Sequence, residues 1–285
     1  MRARFRSPAN PGELRRGRPR KRFGQHFLEP AWVAKLVDAI DPSTDDAFIE
    51  IGPGRGAITG PLATRAARVV AVEVDRDLAA ELVRRQIPNL TVVVADVLEV
   101  DLGELATRLL GASPDRPVRV VGNLPYNISS PILFRLLAAS AETKAMRDAT
   151  LMLQREVADR LIAVPGTGEY GVLTVLTALG ADVTAVLNLP PGAFRPTPKV
   201  RSSVVRLTFR PTSVPVREPK VLVELVRSVF TQRRKTMANA LSRFATSQGM
   251  EAKAALEAAG IDSMRRPETL QLIELARLAD VFAPR

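Results

Sequence analysis

The chain of 285 residues is 46% hydrophobic and has no cysteine, which excludes wholesale disorder, disulfide frameworks, thiolate metal sites and cysteine nucleophiles. Its single histidine, His26, leaves no partner for a multi-histidine metal centre, and no apolar run approaches the ~18 residues of a spanning helix. The formal charge of +11 is uneven: residues 1–24 hold 9 basic side chains and 1 acidic one, residues 195–243 hold 12 and 2, and the remainder is net acidic, a distribution suited to a polyanionic partner.

Residues 1–22 are rich in Arg, Pro and Gly with little to bury. They read as a flexible basic arm without the apolar stretch of a secretory signal, so a cytoplasmic protein is the expectation. Val33, Leu36, Val37 and Ile40 share one helical face over 31–40. The run 47–51 reads as a buried strand ending in Gly52-Pro53-Gly54-Arg55-Gly56, and 69–74 as a second strand followed by a helix over 77–85. A third strand spans 90–95 and a fourth 118–121, the latter ending in Gly122-Asn123-Leu124-Pro125-Tyr126. A helix over 132–139 and a strand over 149–153 follow, then strands over 183–189 and 203–209 that would complete one edge. Strands alternating with helices predict an α/β, Rossmann-like sheet over 23–210. A Pro-rich linker at 211–219 precedes four helical segments, read as a small all-helical domain over 220–285.

Gly52, Gly54 and Gly56 sit where a strand meets a helix, as in a tight turn or a loop that lets a ligand approach the backbone. The spacing is not the G-x-G-x-x-G of a dinucleotide fold. Glu50 ahead of it suits a ligand carrying positive charge better than one carrying two phosphates. Glu73 closes the second strand, where a carboxylate can accept both hydroxyls of a ribose; Asp96 closes the third, where one can accept from an adenine amino group. Ligands in such sheets bind beyond the carboxyl ends of the strands. Three acids at three strand ends therefore predict a pocket for S-adenosylmethionine, while Asp75 and Asp77 read as helix caps. Asn123-Leu124-Pro125-Tyr126 follows the fourth strand at the same edge. Its amide and carbonyl groups could accept the N–H groups of an adenine amine, and Tyr126 could stack on the base.

Those segments, with Phe23-Gly24-Gln25-His26-Phe27-Leu28, Asn127-Ile128-Ser129-Ser130-Pro131, 194–202 and Phe230-Thr231-Gln232-Arg233-Arg234-Lys235, resemble the ribosomal RNA adenine dimethyltransferase family, its small-subunit branch most closely. The resemblance implies S-adenosylmethionine contacts from His26, Leu28, Gly52, Glu73, Asp96 and Asn123, with Glu50, Gly54 and Val97 beside them. It implies two methyl groups added to each of two adjacent adenines near the 3′ end of small-subunit rRNA. The expected partner is that rRNA or a pre-ribosomal small subunit, and the expected state is a monomer. Phe194 would be a second aromatic wall at the target base, or a core residue. Arg195, Lys199, Arg201 and Arg206, together with Arg233, Arg234 and Lys235 opening a helix and with the N-terminal basic arm, would form a track for RNA phosphates. The alternatives are a large-subunit enzyme conferring macrolide resistance and a ribosome-assembly factor with secondary transferase activity.

Overall fold

Residues 27–212 and 214–284 are described by a computed structural model; the basic arm and His26 lie outside them. The chain enters through β1 (Phe27–Leu28) and α1 (Pro30–Ile40), whose Val33, Leu36, Val37 and Ile40 are buried as the periodicity requires. β2 (Ala47–Ile51), α2 (Thr59–Ala63), β3 (Arg68–Glu73), α3 (Arg76–Arg84) and β4 (Leu90–Val94) follow, then a short α4 (Leu102–Glu104) and β5 (Val118–Asn123). α5 (Ser129–Thr143) leads into β6 (Met146–Gln154), α6 (Arg155–Leu161), α7 (Val172–Gly180), β7 (Ala181–Leu189), β8 (Phe194–Arg195) and β9 (Ser202–Phe209). α8 (Pro219–Phe230), α9 (Met237–Ser247), α10 (Ala252–Ala258) and α11 (Leu272–Val281) end the described chain.

Seven strands form one sheet in the order β4-β3-β2-β5-β6-β9-β7. The first five are parallel and β9 runs antiparallel to both its neighbours. From β2 the chain builds outward through β3 and β4, then crosses to β5 on the other side. The resulting crevice beyond the carboxyl ends of β2 and β5 is where ligands bind in sheets of this kind. Alternation sorts the side chains: Ile49, Ile51, Val70, Val72, Val118 and Val120 pack on one face with Ile132, Leu133 and Leu136 of α5. Phe48, Val69 and Val121 pack on the other with Leu36 and Leu62. Glu50 shares the face of Phe48, beneath α2.

The C-terminal helices have their own apolar cluster, but it is not built from residues beyond 219 alone. Tyr170, Val175 and Leu176 join Leu222, Leu225, Val226, Leu241 and Leu275 in it. The segment before α7 is tied there by Gly166 N donating to the Glu268 carbonyl at 2.7 Å and Tyr170 Oη donating to the Leu270 carbonyl at 2.9 Å. At the amino edge of the sheet, buried Arg119 donates through Nε to both Asp148 oxygens, through Nη1 to Asp46 and through Nη2 to the Ile40 carbonyl. Every charge in this group has a partner, which burial demands, and the opposite edge is left for the site.

Candidate active site

The loop after β2 owes its shape to glycine. Gly52, Gly54 and Gly56 have φ of 65°, 56° and 69°, the left-handed region that side chains disfavour. Gly56 also has no room: a Cβ there would lie 2.5 Å from Leu82 Cδ2 on α3. The loop is held by Glu73, which is buried at the end of β3. One carboxylate oxygen accepts from Gly54 N and the other from Asp75 N, each at 2.9 Å. Asp75 in turn caps α3, its side chain accepting from Asp77 N and Leu78 N, so the cap is Asp75, with Asp77 in the first turn.

Beyond these strand ends lies a cavity of about 330 Å³. Leu28, Glu50, Gly52, Gly54, Glu73, Asp96, Val97, Asn123, Leu124, Pro125 and Tyr126 all line it. So do Ala57, Ile58, Val74, Asn127 and Ile128, none of which sequence reasoning singled out for the pocket. Val74 is 47% exposed although apolar, and it directly follows the acid Glu73; that position was the one available signal. Glu50 is 1% exposed, and its Oε2 has no hydrogen-bond partner. Burial, reinforced by the charge of Glu73 and partly offset by the Thr59 hydroxyl, pushes its pKa up to about 7. A buried carboxylate oxygen without a donor is costly, and the cost falls when a ligand brings one. Asp96, half-buried, accepts from Leu98 N at 2.9 Å through Oδ1. Three carboxylates around a largely apolar cavity fit a compact organic cation with hydroxyl and amino donors, as S-adenosylmethionine is.

The turn after β5, which also lines the cavity, is braced by its backbone. Leu124 N donates to the Met152 carbonyl and Ile128 N to the Pro125 carbonyl, both at 3.1 Å, and Ser129 Oγ donates to the Tyr126 carbonyl at 3.3 Å. Tyr126 Oη and Ser202 Oγ share a hydrogen bond of 2.8 Å. Gly122, one residue before the turn, is required by close approach: a Cβ would stand 2.8 Å from the Ile51 carbonyl oxygen. Leu28 is brought to the cavity by β1 pairing with β8 in the register Leu28↔Phe194.

The family model for ribosomal RNA adenine dimethylase matches residues 16–278. The chain belongs to that family. It is a methyltransferase whose methyl donor is S-adenosylmethionine. Among curated relatives, the ribosomal RNA small subunit methyltransferase A of Acinetobacter baylyi is 45% identical over 93% of each chain. That of Leptothrix cholodnii is 44% identical over 91% of this chain and 90% of its own. Among solved structures, a dimethyladenosine transferase from Plasmodium falciparum superposes with a TM-score of 0.71 at 25% identity, covering 89% of this chain and 96% of that one. The 23S rRNA methyltransferase ErmE gives 0.63 at 28% identity, covering 90% and 99%.

In this dimethylase three sequence expectations need correction. Phe194 is fully buried, packs in the apolar cluster of Leu28, Leu36 and Leu62, and is not among the residues lining the cavity. It supports the wall at Leu28 instead of forming one, because its strand pairs β1 and turns the ring into the core. Arg206 faces inward, its Nη2 donating to the Ala39 carbonyl at 2.6 Å at the end of α1, and is no part of a phosphate track. Arg195, Lys199 and Arg201 are exposed, Arg195 beside Glu29 at 3.2 Å. Since Ser202 pairs with Gln154 at the end of β6, this segment lies at the carboxyl edge of the sheet. Arg233, Arg234 and Lys235 are exposed in the turn between α8 and α9 and precede the helix they were expected to open. Arg233 donates to the Gly168 carbonyl, on the segment before α7.

Proposed function

We propose that this enzyme transfers two methyl groups to N6 of each of two adjacent adenines near the 3′ end of small-subunit rRNA, acting as a monomer on the rRNA or a pre-ribosomal small subunit. The carrying observation is that the three carboxylates and the Asn123–Tyr126 turn line one and the same cavity. Glu73 and Asp96 would hold the ribose and adenine of the cofactor, and Glu50 its cationic end. When bound, S-adenosylmethionine supplies an electrophilic methyl carried on a sulfonium.

The chain's part is to make the amine of the target base reactive. That nitrogen is a poor nucleophile because its lone pair is delocalised into the ring. In the first transfer two acceptors, the Asn123 side-chain oxygen and the Leu124 carbonyl, would take its two N–H groups out of the ring plane and free the lone pair. In the second, one of them would hold the single N–H that remains. Leu124 has already spent its amide on Met152, so its carbonyl is the group it offers, and Pro125 stiffens the turn. Tyr126, half-buried at the cavity, would stack on the base, worth ~1–3 kcal/mol. No side-chain nucleophile takes part, and the surplus proton leaves to water. Catalysis is then placement plus hydrogen bonds that strengthen in the transition state. The target adenine must be unstacked to enter, at a cost of a few kcal/mol, which favours loop adenines. Arg195, Lys199, Arg201, Arg233, Arg234 and Lys235 supply exposed positive charge for the phosphates on either side.

The test is mass mapping of methylated adenines after undermethylated small subunits are incubated with enzyme and cofactor. Two adjacent dimethyladenines near the 3′ end are expected, and Asn123→Ala should slow their appearance by ~10²–10³-fold, as for loss of other positioned hydrogen-bonding groups. Dimethyladenine on large-subunit rRNA instead would overturn the substrate assignment.

A further inference from the structure

Ser202 lies 76 positions beyond Tyr126 in the chain, yet their hydroxyl oxygens are 2.8 Å apart. Ser202 is 1% exposed. It is the first residue of β9 and is clamped there from both sides, opposite Gln154 at the end of β6 and Leu189 at the end of β7. The residue before it is also fixed, since the Arg201 carbonyl accepts from Arg155 N at 3.0 Å. The Ser202 hydroxyl is thus a stationary group. Tyr126 is different: its backbone sits in a braced turn, but its ring is only half-buried at the edge of an open cavity. A tyrosine ring in that position has rotational freedom that stacking must remove, and a hydrogen bond at its far end removes it in advance.

We propose that Ser202 is a positioning residue for methyl transfer: it holds the Tyr126 ring at the orientation in which the target base stacks. The proposal rests on the reading of Tyr126 as the stacking wall and goes beyond it by assigning how the wall is set. It also gives the exposed basic segment Arg195–Arg201 a mechanical link to the reacting centre. That segment runs directly into Ser202, so RNA phosphates bound to Lys199 or Arg201 are one hydrogen bond from the base-stacking ring. The contact is between neutral hydroxyls, so its net worth is that of an ordinary hydrogen bond, and its loss should cost about fivefold in rate.

The experiment is a double-mutant cycle on the full chain. Ser202→Ala removes the serine partner. Tyr126→Phe removes the tyrosine hydroxyl and keeps the ring. Each is measured for kcat and KM on small subunits, for cofactor affinity, and for quenching of 2-aminopurine placed at the target adenine. Each single variant should lower kcat about fivefold, reduce the quenching, and leave cofactor affinity unchanged; the double variant should be no worse than either single one. Thermal melting of all three beside wild type separates this from unfolding. Additive losses, or full kcat and full quenching in Ser202→Ala, would overturn the proposal. Tyr126→Ala separates the two levels. If it leaves quenching intact, Tyr126 is not the stacking wall and the underlying reading fails; if it abolishes quenching while Ser202→Ala changes nothing, only the positioning role fails.

Discussion

Glu50 illustrates how one buried atom ties stability to ligand binding. Its carboxyl, held in the fold at a pKa of about 7, keeps a proton that the unfolded chain gives up near its ordinary value of 4.5. Between these values the native state binds the extra proton, so stability falls as pH rises through the window, and above pH 7 the whole cost is present. The shift corresponds to on the order of 3 kcal/mol. Glu50→Gln should therefore match wild type near pH 4.5 and exceed it increasingly toward pH 8 when both are unfolded with denaturant. An advantage of the same size at both pH values would show that the buried charge is not its source. The cationic cofactor favours the ionised form, so wild-type affinity should rise across the same window while that of Glu50→Gln changes less.

At the scale of elements, the site depends on how closely β5 lies against β2. Gly122 pairs with Ile51, and any side chain there meets the Ile51 backbone oxygen, which cannot turn aside as a flexible side chain could. Gly122→Ala should cost about 1–3 kcal/mol in denaturant unfolding, the range for overpacking. Gly60→Ala, in α2 with nothing within 4 Å of the added carbon, should be neutral or slightly stabilising. Equal effects from the two would contradict the close-approach account.

The apolar runs of β2, β3 and β5 were readable because parallel strands buried on both faces are continuous apolar stretches, and the edge strand β4 was readable from its run of valines. Their acids were readable because they stand where those stretches stop. α7 was missed because Val172–Gly180 is apolar nearly all round and shows no contrast at helical period. β1 and β8 are two residues each and exist only through each other. Gly122 looks like an ordinary strand end until its neighbour across the sheet is known, and the hydrogen bond between Tyr126 and Ser202 joins segments too far apart for any local pattern to announce. Phe194 could be read either way, since the same aromatic suits a core and a base-stacking wall.

Across the whole molecule the two edges of the sheet have opposite jobs. The amino edge is closed by Arg119 and its fully paired carboxylates; the carboxyl edge opens into the cavity and carries the exposed cations of 195–201. The C-terminal helices are anchored through the segment before α7, which follows directly on β6 and α6, so the basic turn at Arg233 is held near the same edge through the Gly168 carbonyl. All of this serves one claim: that the carboxylate wall of the cavity receives S-adenosylmethionine. Calorimetric titration of the purified chain tests it most directly. The account predicts uptake at a single site, at least tenfold weaker in Asp96→Ala; a folded wild-type protein that takes up no S-adenosylmethionine would contradict it.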